Sequence, residues 1–60
     1  MSMPSSDYNK YLAAIKAAND MEYRYSVETL RSIYKEMVAK YGANDSDVDY
    51  LYRNYFRHNI

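Results

Sequence analysis

Ser26-Val27-Glu28-Thr29-Leu30-Arg31-Ser32-Ile33-Tyr34-Lys35-Glu36-Met37-Val38-Ala39-Lys40-Tyr41-Gly42 is the stretch from which the fold can be read. Val27, Leu30, Ile33, Tyr34, Met37, Val38 and Tyr41 advance by three, three, one, three, one and three, which places them on one face of a helix about four turns long. Glu28, Arg31, Ser32, Lys35, Glu36 and Lys40 occupy the other face, with Glu36 and Lys40 a favourable i,i+4 pair. Ser26 suits an N-cap, Glu28 the positive end of the dipole, and Tyr25 a hydrophobic staple onto Leu30. Gly42 is the only glycine and falls where a left-handed residue ends a helix. The pattern predicts a helix over 27–41.

Two weaker stripes flank it. Upstream, Tyr8, Tyr11, Leu12, Ile15 and Ala18 step by three and four, Ala13, Ala14 and Ala17 add helix propensity, and Ser5 or Ser6 is the expected N-cap. This predicts a helix over 6–19 that stops at Asn19-Asp20. Downstream, Ser46 with Asp49 reads as a capping box, and Val48, Leu51, Tyr52, Tyr55 and Phe56 form the apolar stripe. Acidic residues open this segment and Arg53, Arg57 and His58 close it, which predicts a helix over 46–58. Asp20–Tyr25 is the one connection left open between loop and helical extension. Period-two alternation is missing throughout, so the expected fold is all-α: one small three-helix domain over 1–60 behind a flexible lead at 1–4.

Length and composition narrow the chemistry. A 60-residue chain buries only about 60% of the surface its unfolded form exposes, so self-association or a partner is expected to supplement its core. The lack of cysteine excludes disulfides and cysteine-bound metals within these residues. No apolar run approaches the roughly 20 residues that cross a bilayer, and Met1-Ser2-Met3-Pro4-Ser5-Ser6-Asp7 is too polar for a signal peptide. A cytoplasmic protein without membrane contact is expected. Eight basic and eight acidic side chains cancel, so no net field steers the protein toward a polyanion.

Nine tyrosines are the compositional outlier. Each phenol needs a hydrogen-bond partner when buried, and a core this small cannot supply nine, so several rings are expected at the surface. Tyrosine and arginine are enriched among residues that dominate protein interfaces. Tyr50, Arg53, Asn54 and Arg57 step three, one, three along the face opposite Leu51 and Phe56, and form the candidate partner-binding ridge. Tyr23 and Tyr25 extend it if they point the same way. The plain alternative is a solvated helix face with a ring lying over an arginine stem.

Other constellations are weaker. Asp45-Ser46-Asp47-Val48-Asp49 alternates carboxylates as a calcium loop does, but Tyr50 stands where that loop bends on glycine and Phe56 where it needs glutamate. Capping explains the same aspartates. His58, the lone histidine, has no cysteine or fixed serine to work with, so neither catalysis nor a cofactor is expected.

The second and third segments resemble a DNA-binding helix-turn-helix through Met37, Val38, Tyr41, Gly42, Val48 and Leu51. The resemblance covers about 20 residues and implies a regulator that reads duplex DNA with its third segment. Asp45, Asp47 and Asp49 would then face phosphates and oppose the attraction that supplies most DNA affinity. The same aspartates suit a second variant, in which the acidic turn imitates nucleic acid. The favoured expectation is a non-enzymatic regulator, adaptor or inhibitor of bacterial or phage type that binds a partner protein, with a homodimer as the other arrangement.

Overall fold

A computed structural model describes residues 2–60, and in it the three stripes converge on one core. The helices are α1 (Ser5–Asn19), α2 (Tyr23–Tyr41) and α3 (Ser46–Tyr55). Among the described residues there is no strand. The all-α three-helix fold expected from periodicity is therefore the one observed. Tyr11, Ile15 and Ala18 of α1, Leu30 and Met37 of α2, and Val48 and Leu51 of α3 are buried together. Tyr8, Leu12, Ile33, Tyr34, Val38, Tyr41, Tyr55 and Phe56 pack around them. The radius of gyration, 10.6 Å, matches the roughly 10 Å of a folded chain this long, which an open hairpin would exceed.

Three boundaries differ from expectation, each for an identifiable reason. α2 starts at Tyr23 rather than Val27. The Ser26 N–H donates to the Glu22 carbonyl at 2.8 Å, so Ser26 lies inside the helix and not at its cap. Its side chain is fully buried, and Tyr25, 57% exposed, staples nothing. The Asp20–Tyr25 ambiguity resolves accordingly: Asp20–Glu22 make the turn, and Tyr23–Tyr25 extend α2 backwards.

At α3 the cap is Asp45, not Ser46. Its Oδ1 accepts from the Asp47 and Val48 N–H groups at 2.9 and 3.0 Å, a charge-assisted version of the same device. Likewise α1 begins at Ser5 behind Pro4, whose carbonyl receives the Tyr8 N–H, with no side-chain cap. Gly42 ends α2 at φ 95°, the positive-φ conformation that favours glycine at this position.

The remaining correction is the end of α3. The helix stops at Tyr55, so Phe56–Ile60 are not helical and Arg57 and His58 do not continue its face. Asn19 of α1 causes the stop: its Nδ2 donates to the Tyr55 carbonyl (2.8 Å) and its Oδ1 accepts from the Arg57 N–H (3.1 Å). One amide thus satisfies an acceptor and a donor that the helix ladder would otherwise have claimed. The Tyr52 hydroxyl then meets the Ile60 carbonyl at 3.3 Å, and Ile60 packs on the core.

Of the 1–4 stretch expected to be flexible, Met1 lies outside the described residues and Met3 is buried in the core. The Met3 N–H donates to Asp47 at 3.1 Å, and the Ser2 hydroxyl donates to Asp45. Across α1 and α2, the Tyr11 hydroxyl donates to Glu36 at 2.7 Å, while Asp7 accepts from Tyr41 and pairs with Lys40 at 3.2 Å.

Candidate functional site

Tyr50 stands on the second turn of α3, 50% exposed, on the side away from buried Leu51. One turn on, Arg53 reaches back to Asp49 at 2.9 Å while its side chain stays 75% exposed. Asn54 is also exposed, its Nδ2 held on the Tyr50 carbonyl at 2.9 Å. These three share an outward face, as their spacing predicts. Arg57, expected on the same ridge, lies off this face because it follows the helix end. Its backbone is fixed by Asn19, and its guanidinium donates to the Asn19 carbonyl at 3.5 Å.

Tyr23 and Tyr25 part company. The Tyr23 ring meets the His58 imidazole edge-on at 4.9 Å, which connects it to the tail beside Arg57. Tyr25 lies nine residues before Tyr34, half a turn round the helix by the 3.6-residue period. Since Tyr34 packs against Tyr52 and Phe56 on the α3 side, Tyr25 faces away from α3. Tyr23 therefore lies beside the C-terminal tail, and Tyr25 on the side away from α3. His58, expected at a helix terminus, lies in the non-helical tail.

Periodicity along α3 alone missed half of this surface. The Tyr55 ring sits 6.3 Å from that of Tyr50, and the Lys16 ammonium lies over it at 5.9 Å. Tyr8, on the α1 side, is half-buried against the core, and burial first and the Tyr55 and Tyr50 phenols and Asp47 carboxylate next raise its phenol pKa. Tyr8, Leu12, Lys16 and Asn19 recur every three or four residues on α1, so a shared stripe was visible in the sequence. Its pairing with α3 was not. The surface is thus a seam between two helices, continued through Asn19, Arg57 and His58 to Tyr23.

The acidic turn is organised for structure. Asp45 caps α3, and its carboxyl is held below the ordinary range chiefly by the Ser2 hydroxyl and then by the Val48 N–H. Asp47, 8% exposed, receives Met3, and Asp49 holds Arg53. The Ser2 hydroxyl also lies 3.4 Å from Asp47, so Asp45 and Asp47 share it, whereas Asp49 is taken by Arg53. Ser2 and Met3 also lie against the start of α3, the end from which a helix-turn-helix protein reads bases.

No known protein family, curated protein or solved structure matches the chain.

Proposed function

We propose that the protein is a non-enzymatic binding module whose working surface is the tyrosine–arginine seam between α1 and α3. The observation that carries this reading is Tyr50, half exposed beside Tyr55 and flanked on α3 by exposed Arg53 and Asn54, with Arg57 exposed just past the helix end. Rings and guanidinium groups bury much area and make directional hydrogen bonds for little ordering cost, which is why they dominate interface energetics. Here they stand where the core leaves them free. A partner protein is the favoured ligand. A DNA-reading role fits less well, because the α3 N-terminus is acidic and lies under Ser2 and Met3.

The test is alanine replacement of Tyr50, Arg53 and Arg57 singly, with affinity measured against a partner purified from the native host. Loss of at least about tenfold for Tyr50→Ala and for one arginine variant, with unchanged helical circular dichroism, is the expected result; it corresponds to the roughly 1.4 kcal/mol of a modest hot spot. Undiminished affinity in all three variants would remove the seam from the interface.

A further inference from the structure

The cations of this molecule divide into two sets. Lys10 pairs with Glu36, Lys40 with Asp7 and Arg53 with Asp49. Among the described residues Lys16 and Arg57 have no carboxylate partner, although Asp20 and Glu22 lie exposed in the adjoining turn. They flank one spot. Lys16 lies over the Tyr55 ring, Asn19 follows it by one turn, and Asn19 holds the Arg57 backbone. Among the described residues Arg24, Arg31 and Lys35 are also unpaired, but they stand on the exposed surface of α2 and none lies over a ring.

Building on the partner-binding reading above, we propose that the seam around Tyr55 is a dock for an acidic segment of the partner protein. Carboxylates of that segment pair with Lys16 and Arg57, and its apolar side chains lie on Tyr50 and Tyr55. Charge complementarity argues for it: two unpaired cations bracket two adjoining rings, in a chain whose other ring-contacting lysines, Lys10 and Lys40, are both neutralised internally. Arginine offers a planar fork for a carboxylate, and lysine a mobile point charge. Such pairing sets approach and register more than raw affinity, so binding should weaken as salt rises.

The experiment titrates the isotope-labelled full chain with a short glutamate-rich peptide bearing interspersed leucines, followed by amide chemical shifts. The expected shifts centre on Lys16, Asn19, Tyr50, Asn54 and Arg57. The double variant Lys16→Gln/Arg57→Gln should weaken the peptide at least tenfold, and Arg31→Gln/Lys35→Gln should leave it unchanged. Three results would overturn the proposal: no shifts, shifts centred on α2, or tighter binding of a charge-matched oligothymidylate at the same residues. The purified partner separates the two readings. If Lys16→Gln/Arg57→Gln keeps its affinity while Tyr50→Ala loses it, the seam stands and the acidic occupant falls. If both variants retain affinity, the seam itself falls.

Discussion

Ser26 is the residue at which local preference and tertiary need disagree most plainly. Its hydroxyl is fully buried and has no hydrogen-bond partner among the described residues. An unsatisfied buried hydroxyl costs about 1–3 kcal/mol, and serine is also a poorer helix former than alanine. Ser26→Ala is therefore expected to raise the unfolding free energy by about 1 kcal/mol in urea titration. A loss of stability would mean that the hydroxyl is satisfied after all.

Two other residues set how stability varies with pH. Tyr41 and then Lys40 hold the Asp7 carboxyl below its ordinary value. A lowered folded pKa means that the unfolded chain takes up the proton first, so this contribution is complete above about pH 4 and fades as pH falls through the folded value. Tyr11 behaves oppositely: burial, then its bond to Glu36, pushes its phenol up to about 12. The unfolded phenol ionises near pH 10, so stability declines from there through about pH 12. Asp7→Asn should flatten the acid limb of a stability profile, and Tyr11→Phe the alkaline limb. Unchanged limbs would contradict the α1–α2 pairing described here.

At the scale of elements, the end of α3 depends on one amide in α1. Asn19→Ala removes both the acceptor of the Arg57 N–H and the donor to the Tyr55 carbonyl. The expected cost is about 1–2 kcal/mol, with hydrogen exchange accelerated selectively in the last turn of α3 and in Phe56–Ile60. Uniform acceleration across all helices would show that Asn19 acts on the fold as a whole.

The same contact explains why this boundary could not be read in advance. Apolar spacing carries information within a helix, and it matches most of the core, although Val27 and Tyr52 stand outside the core cluster and Phe56 packs on it from beyond the helix end. It says nothing about a side chain arriving from another helix. Arg57 and His58 fit a helix terminus by charge, yet Asn19 ends the helix before them. Tyr50, Arg53 and Asn54 were legible as a ridge because one helix places them. Lys16, Tyr8 and Tyr55 entered the seam only once α1 was laid beside α3. Ser26 was misread for a related reason: a good cap residue also serves where the core needs a small side chain.

Over the whole molecule, size makes every core contact matter. A folded chain of 60 residues typically has roughly 3–9 kcal/mol of stability. Met3 reaches the core from outside the helices, and Met3→Ala should cost about 2–5 kcal/mol. Circular dichroism is expected to show a large drop in melting temperature; a small one would mean that the N-terminal residues contribute little to packing.

The outward ridge of the seam should respond in the opposite way, because Tyr50 and Arg53 are exposed, whereas Asn19, Tyr8 and Tyr55 also serve the fold. The most direct measurement is the unfolding free energy, in urea, of the double variant Tyr50→Ala/Arg53→Ala. The account predicts a change below about 1 kcal/mol, the scale of an exposed i,i+4 ion pair plus one half-exposed ring. A loss of several kcal/mol would contradict it, since the ring and guanidinium would then be holding the helices together rather than standing free to meet a partner.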